Sequence, residues 1–291
     1  MILKKLNTAI VMVILSAAYN SCIERNDNAN VQDSKETVVK FYTDLYSSNN
    51  QSKADLYVGS SYKEHQPESG DYTYMGLKNY ALQTAKNTNY KITVHRIIQQ
   101  GAYVFLHVEE KNSEKTIAHG ELFKLGENGK IIEHWGNLQE QPATTANGRT
   151  MFDGAKVNYT LTSGISNLAK FKQADADMFN KLDYSIVEAT RVATTAATVY
   201  KQHNPFIKDG REQLGIWFQQ MKDSGTTLSV SNKFILGEGD FIVEMNYFNT
   251  NNGAGEDFIF DIIRIRPEDA LTDEHWDIVQ SIKGKDITKV Y

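Results

Sequence analysis

Residues 62–67 read Tyr-Lys-Glu-His-Gln-Pro, and residues 200–205 read Tyr-Lys-Gln-His-Asn-Pro. A second motif, Glu-His-Trp, occupies residues 133–135 and returns at residues 274–276, each time with Gln four positions after the Trp. The two motifs recur in the same order with a period of about 140 residues, which is too long for a solenoid repeat and suits a globular unit. The pattern predicts two consecutive copies of one domain.

The bulk composition is that of an ordinary globular protein, with 41% hydrophobic and 23% charged residues among 291. The formal charge is −5, and the sequence has no run of basic residues and no basic stripe interleaved with aromatic residues. Nucleic acid is therefore excluded as an expected partner.

The first 22 residues have the pattern of a secretory signal. Lys4 and Lys5 precede an apolar stretch at 9–18 that is too short to span a bilayer, and Cys22 follows it. We predict a lipoprotein-type signal peptide at 1–22, acylation of Cys22, a flexible tether at 23–34 and anchoring to a bacterial membrane in the cell envelope. The alternative is ordinary cleavage after Ala18, which would leave a soluble periplasmic or secreted protein.

Hydrophobic periodicity predicts helices first and antiparallel strands afterwards, twice over, which indicates an α+β fold. We place the first domain at 35–140, a linker rich in Pro, Thr, Asn and Gly at 141–160, and the second domain at 161–285. The predicted helices are 37–46, 52–58, 75–86, 167–182, 184–197 and 213–221. The predicted strands are 92–97, 103–109, 117–125, 131–138, 228–236, 241–248, 257–266 and 274–280.

The ordered motifs resemble the SnoaL-like branch of the nuclear transport factor 2-like superfamily. Both copies have Tyr-x-x-His-x-Pro, a strand that runs acid–apolar–apolar–base (121–124 and 261–264), and Glu-His-Trp. The second copy is the closer match, because Asp277 completes Glu-His-Trp-Asp. The resemblance implies two cone-shaped barrels, each a curved antiparallel sheet closed by helices around an apolar pocket. Members of the family include polyketide cyclases that run an aldol condensation without metal or cofactor, and proteins that only bind ligands, so the fold does not assign a reaction.

The second copy carries the candidate catalytic residues. His275 and Asp277 are two apart on a predicted strand and share a face. If that face is inward, Asp277 is a candidate base, assisted by His275, Asp261 and His203, and Tyr200 and Trp276 line the pocket. In the alternative, Trp276 points inward as a core anchor, and His275 and Asp277 lie in solvent.

The first copy lacks part of this set, because Gly136 stands where the second has Asp277. Glu121 replaces Asp261, and His107 stands where the second copy has Met245. This copy is expected to bind a ligand or to be purely structural. The residues expected to line its pocket are His65, His107, Glu121 and His134.

Neither a metal nor a cofactor is expected, because the seven His residues show no metal-ligand spacing and no nucleotide-binding fingerprint occurs. The leading hypothesis is an exported protein that binds a small apolar or carbonyl-bearing ligand. The alternative is a cofactor-free lyase or isomerase in the second domain. The two domains are expected to pair with each other through their sheets in a monomer, and any membrane contact would come only from the lipid on Cys22.

Overall fold

The computed structural model describes residues 34–47, 49–87, 89–251 and 255–291. The predicted signal peptide, Cys22 and the tether up to residue 33 lie outside these residues. Among the helices that are described, none is long and apolar enough to cross a membrane. The described residues form helices and two five-stranded sheets, which confirms the α+β class.

The first half begins with helix α1, which covers described residues 34–45. Helices α2 and α3 follow at Gln51–Ala54 and Tyr74–Thr84. The strands are β1 (Val58–Glu64), β2 (Lys91–Gln100), β3 (Tyr103–Lys111), β4 (Thr116–Leu125) and β5 (Ile131–Glu140). They form a sheet in the order β1-β5-β4-β3-β2, in which only the β1–β5 pair is parallel.

The second half repeats this plan. Its helices are α4 (Ser163–Ser166), α5 (Leu168–Lys181), α6 (Tyr184–Thr190) and α7 (Glu212–Asp223), and α8 (Ile287–Val290) ends the chain. Its strands are β6 (Lys201–Gln202), β7 (Leu228–Glu238), β8 (Phe241–Thr250), β9 (Glu256–Ile265) and β10 (Thr272–Ser281). The order β6-β10-β9-β8-β7, again with one parallel pair at the edge, matches the first sheet strand for strand.

Several elements differ from the periodicity-based prediction. The helix predicted at 52–58 ends at Ala54, and the short helices α4 and α8 were not predicted. The Tyr-x-x-His motifs overlap strands β1 and β6, which were not predicted because each is defined only by parallel pairing with a distant strand. The helix predicted at 184–197 ends at Thr190, and Arg191 is extended and bridges to Thr272. The Val- and Thr-rich sequence after Arg191 has low helix propensity, so tertiary pairing decides its conformation.

Each sheet is covered by its own helices on one face and by the other sheet on the opposite face. Phe105 of β3 and Phe260 of β9 meet between the two sheets, with ring centroids 5.1 Å apart. Trp135 and Trp276, both at most 2% exposed, belong to the same central core. The sheets therefore share one apolar layer, while the helices of each half enclose a separate interior.

The contacts between the halves are reciprocal. The N–H of Val279 donates to Gln139 Oε1 over 2.7 Å, and the N–H of Leu138 donates to Gln280 Oε1 over 3.2 Å. These are the two Gln residues that follow the repeated Glu-His-Trp motifs. The same patch on each half therefore contacts its equivalent, as in an isologous dimer.

A second exchange joins the edge strands β2 and β7. The N–H of Gln99 donates to Glu238 Oε2 over 2.8 Å, and the N–H of Gly237 donates to Gln100 Oε1 over 2.9 Å. Residues 99 and 100 occupy the positions in β2 that 237 and 238 occupy in β7, relative to the bulge each strand carries. The reciprocal geometry thus extends from the centre of the interface to its edge.

The segment predicted as a linker, 141–160, is described throughout, and none of its residues belongs to a helix or strand. It is nevertheless packed against both halves. Met151 and Phe152 are buried in the central core, and the carbonyl oxygen of Asp153 accepts hydrogen bonds from Trp276 Nε1 and from Arg96. The segment therefore contributes to the interface between the halves as well as joining them.

Candidate functional site

The second half encloses a cavity of about 370 Å³ between its sheet and helices α5 and α7. Most of its wall is apolar, contributed by Phe179, Ile207, Leu214, Trp217, Met221, Leu228, Phe248, Ile259, Ile263 and Val279. Polar side chains also line it: Asp175, Arg191, Tyr200, Gln202, Asn204, Thr226, Glu244, Thr250, Asp257, Asp261, His275 and Asp277. Its volume lies at the lower end of the range for small-molecule sites, about 300–1,000 Å³.

Strand alternation decides which residues reach this cavity. On β10, His275, Asp277 and Val279 face it, while Trp276 and Ile278 face the central core. The structure therefore brings Asp277 and His275 together, as the sequence predicted for an inward face, and Asp261 joins them from the position directly opposite Asp277 on β9.

His275 is held between two acceptors. Its Nε2 lies 3.0 Å from Asp261 Oδ1, and its Nδ1 lies 2.9 Å from Oε1 of Gln202. Burial disfavours the charged imidazolium, but the hydrogen bond to Asp261 and the nearby carboxylate of Asp277 outweigh this effect and raise the pKa of His275. The raised pKa favours the imidazolium form of His275, and the hydrogen bonds to Asp261 and Gln202 fix the orientation of its ring.

The two carboxylate oxygens of Asp277 differ in their hydrogen bonding. Its Oδ2 accepts a hydrogen bond from Asn204 Nδ2 over 2.7 Å, whereas Oδ1 has no hydrogen-bond partner among the described residues. Burial, reinforced by repulsion from Asp261, raises the pKa of Asp277 to about 6, although His275 and Asn204 favour the carboxylate. At neutral pH, Asp277 is a carboxylate with a proton affinity suited to general base catalysis.

Donor atoms of Asp261, His275 and Asp277 all lie within 4.8 Å of one another. An imidazole and two carboxylates form a donor set that can bind a divalent cation. Here, however, His275 and Asp261 are hydrogen-bonded to each other, which leaves Asp277 Oδ1 as the available donor. The arrangement therefore fits a proton-transfer group better than a metal centre. Ligand spacing in the sequence did not reveal this cluster, because its members come from two strands.

Two further polar features of the cavity were not predicted. Arg191 and Asp175 form a buried pair with 2.7 Å between Nη2 and Oδ1, and Glu244 of β8 lies opposite Asp261. Glu244 interrupts the apolar run Phe-Ile-Val-Glu-Met at 241–245, which was the available sequence signal. Asp175 lies on a helix, and its role depends on Arg191, a partner that only the fold supplies.

The structure corrects the expectation for His203 and Trp276, which lie on the sheet face opposite the cavity. Their rings stack 4.6 Å apart, and His203 Nε2 lies 2.9 Å from Glu274 Oε1. Tyr200, Gln202 and Asn204 alternate with His203 and do line the cavity. Trp276 is a core anchor, as the alternative interpretation proposed, but that interpretation was wrong to place His275 and Asp277 in solvent.

The interior of the first half is occupied by hydrogen-bonded side chains. His134 lies 3.0 Å from Glu64 Oε1 through Nδ1 and 2.7 Å from Glu121 Oε2 through Nε2. His119, which the sequence did not single out, lies 3.1 Å from Glu110 Oε2, and Tyr42 donates to Glu121 Oε1 over 3.1 Å. Glu121 and His134 thus face the interior as predicted, but as members of a buried polar network.

His65 and His107 do not lie in that interior. His65 stacks on Trp135 with ring centroids 4.9 Å apart, and its Nδ1 lies 2.6 Å from the carbonyl oxygen of Lys289. His107 is fully buried between the halves, where its Nδ1 lies 3.0 Å from Arg96 Nη1. Both expectations were wrong because these residues lie on the sheet face that meets the second half.

Gly136 explains why the first half has no counterpart of Asp277. The residue lies opposite Glu121 in the β4–β5 ladder, as Asp277 lies opposite Asp261. A Cβ atom added at Gly136 would lie 2.4 Å from Glu121 Oε2. The longer Glu121 side chain therefore fills the space that an acid at position 136 would need.

Comparison with known proteins gives structural neighbours only. No protein-family model matches the chain, and the search of curated proteins finds no match. Among solved structures, the chain is similar to TsrD from Streptomyces laurentii, with 20% identity over 40% of this chain and 89% of that one, at a TM-score of 0.32.

Two other solved structures match a similar share of this chain. A nuclear transport factor 2-like protein of unknown function from Cytophaga hutchinsonii is 20% identical over 36% of this chain and 89% of its own, with a TM-score of 0.31. A SnoaL-like protein of unknown function from Burkholderia thailandensis is 11% identical over 40% and 96%, with a TM-score of 0.32. Each match corresponds to about two fifths of this chain.

Proposed function

We propose that the second half of the chain binds a small, largely apolar molecule that carries a carbonyl group. The observation that carries this proposal is Asp277, which lines a mostly apolar cavity and whose buried carboxylate oxygen Oδ1 has no hydrogen-bond donor within the described structure. A buried polar atom without a partner is costly unless a ligand or water supplies one. The apolar wall supplies affinity, and the polar groups orient the bound molecule.

The state of Asp277 favours a second candidate, cofactor-free proton transfer on that ligand. The carboxylate would take a proton from the carbon next to the carbonyl, and the C–H electron pair would move into the C–C bond as the carbonyl becomes an enolate. With a β,γ-unsaturated ketone the enolate is a dienolate, and return of the proton from Asp277 to its γ carbon gives an isomerase. Attack of the enolate carbon on a second carbonyl, whose oxygen takes the proton back from Asp277, gives an aldol-type lyase or cyclase. The His275–Asp261 pair would hold the surrounding charges fixed during the transfer.

We further propose that both halves are SnoaL-like, cone-shaped domains, that the first is a structural partner, and that they replace the two subunits of a dimer. The shared strand order and the reciprocal contacts of Gln139 and Gln280 support this proposal. The filled interior of the first half supports its structural role. On this basis the protein is a monomer in solution.

We propose that the protein is exported and anchored through a lipid on Cys22. The support is the sequence pattern of residues 1–22. Growth of expressing cells with an alkyne-labelled fatty acid should label the wild type but not Cys22→Ala, and the variant should leave the membrane fraction. Labelling of neither protein, with both released in soluble form, would favour ordinary cleavage after Ala18.

The binding proposal is tested by titration with N-phenyl-1-naphthylamine, an uncharged apolar fluorophore. Val279→Trp places a bulky side chain in the cavity and should abolish the fluorescence increase. Leu138→Trp, at the equivalent position of β5 in the first half, is the matched control and should bind the fluorophore like the wild type. Binding that is absent in the wild type, or equal in both variants, would overturn the proposal.

A further inference from the structure

Glu244 is a buried acid that the proposed mechanism leaves unused. It lies on β8, is 2% exposed and lines the ligand cavity. Its Oε2 accepts one long hydrogen bond of 3.3 Å from Asn246 Nδ2, and within the described part of the chain Oε1 has no partner. The same Asn246 nitrogen lies closer, at 2.8 Å, to Asp261. The described residues therefore satisfy little of the hydrogen-bonding capacity of the Glu244 carboxyl group.

The fold does not require an acid at this position. Glu244 pairs with Asp261 on one side and Ile235 on the other. In the first half, Leu106 pairs in the same way with Glu121 and Ile97, and its side chain belongs to the apolar core under the helices. Because Leu106 occupies the equivalent position in the first sheet, packing does not account for the carboxyl group of Glu244.

The surroundings of Glu244 favour the neutral form of its carboxyl group. Burial, followed by repulsion from Asp175 of α5 and Asp261 of β9, raises the pKa of Glu244 well above its ordinary value. Asn246 and Arg191 oppose this shift without cancelling it. A neutral carboxylic acid is a hydrogen-bond donor, whereas a carboxylate only accepts. In its neutral form Glu244 would therefore give the cavity a hydrogen-bond donor, beside the acceptor Asp277.

We propose that Glu244 is a ligand-recognition residue that, as the neutral acid, donates a hydrogen bond to the carbonyl oxygen of the ligand, so that the cavity selects uncharged carbonyl compounds over carboxylates. This inference rests on the ligand-binding function proposed above for the same cavity. A ketone can accept from Glu244 while it presents its neighbouring carbon to Asp277. A carboxylate ligand would bring a further negative charge to a cavity whose lining already has more acidic groups (Asp175, Asp257, Asp261 and Asp277) than basic ones (Arg191 and His275).

The test uses two molecules of equal size and shape, 4-phenylbutan-2-one and 3-phenylpropanoate, with affinities measured at pH 7 by displacement of N-phenyl-1-naphthylamine. The wild type should bind the ketone at least about tenfold more tightly than the carboxylate. Glu244→Leu should lose about tenfold in affinity for the ketone, the value of one buried hydrogen bond, while it still binds the fluorophore. Glu244→Gln, which keeps a neutral donor group, should recover most of this loss.

Each outcome has a defined consequence. Equal affinity of the wild type for the two molecules overturns the inference even if no Glu244 variant folds. Ketone affinity that is unchanged in Glu244→Leu also overturns it, and fluorophore binding that persists would then leave the ligand-binding function intact. A wild type that binds neither the fluorophore nor the ketone overturns the ligand-binding function and this inference together.

Discussion

Asp261 and Asp277 lie directly opposite each other on β9 and β10, and their surroundings separate their roles. Asp261 accepts hydrogen bonds from His275 and Asn246, and these contacts hold it in place beside the imidazole ring. Among the described residues, Asp277 accepts a hydrogen bond only from Asn204, and its pKa is raised to about 6. Two acids in different environments can serve as an orienting group and as a base within one site.

If Asp277 is the base, proton transfer requires its carboxylate form, which predominates above a pKa of about 6. The rate of hydrogen–deuterium exchange next to the carbonyl of 4-phenylbutan-2-one should therefore rise from pH 5 to 7 and then level off. Asp277→Asn should lower the rate at pH 7 by about 10²–10⁴-fold. Exchange is followed by proton NMR in D₂O. A variant that exchanges as fast as the wild type would contradict the assignment.

Asp277→Asn should also change stability. The folded-state pKa of Asp277, about 6, lies above its ordinary value of 3.8, so its ionisation destabilises the fold as the pH rises from about 4 to 6. The variant should lose this pH dependence and be more stable than the wild type at pH 7, by about 1–3 kcal/mol. Urea unfolding at pH 4 and pH 7 measures the difference. Equal pH dependence in the two proteins would show that Asp277 is not strained by burial.

Gly136→Ala should destabilise the first half. The added methyl group would meet Glu121 Oε2 at 2.4 Å, and overpacking of this kind costs about 1–3 kcal/mol. Asp277→Ala, at the equivalent position of β10, is the matched control and should not lower stability at pH 7. Thermal unfolding by circular dichroism compares the two. Unchanged stability of Gly136→Ala would mean that Glu121 has room to move away.

The His–Glu network of the first half should make the protein less stable at alkaline pH. Burial opposes protonation of His134, but Glu64 and Glu121 outweigh it and raise its pKa to about 10, and Glu110 and Glu121 likewise raise that of His119 to about 9. Raised His pKa values add stability that is complete below pH 6.5 and is lost as the pH rises through 9–10.

Measurement of urea unfolding from pH 6 to 10 should therefore show decreasing stability. His134→Gln should be less stable at pH 7 by about 3–5 kcal/mol, because it leaves two buried carboxylates without their shared partner. The variant should also show a shallower decline towards pH 10. A pH profile parallel to that of the wild type would show that His134 is not charged in the folded protein.

The internal pairing of the halves predicts a monomer. Sedimentation equilibrium should give the mass of one chain, and a stable homodimer would count against the proposal. Gln139→Ala and Gln280→Ala should each lower the free energy of unfolding by about 1–3 kcal/mol, because each leaves a backbone N–H of the opposite half without its acceptor. Gln141→Ala, in the segment that joins the halves, gives a comparison outside the reciprocal pair.

The α+β class, the helix-then-strand order and eight of the strands were predictable from periodicity, because amphipathic helices and alternating strands carry their own local signal. The inward position of His275, Asp277 and Asp261 followed from period-two alternation together with the assumption of an inward face. His203, His65 and His107 were misplaced since the motif that contains a residue does not tell which sheet face it occupies. A shift of one position along a strand moves a side chain from the cavity to the central core.

Composition, local periodicity and the duplicated motifs are properties of neighbouring residues, and they were sufficient to determine the type and order of the elements. The unpartnered oxygen of Asp277, the raised pKa of Glu244 and the filled interior around Glu121 depend on distances between strands and on burial. Hydrogen bonding and pKa shifts act over a few ångströms in space between groups distant in the chain. Only the tertiary structure could therefore decide which of the two similar halves keeps an open cavity with an available carboxylate.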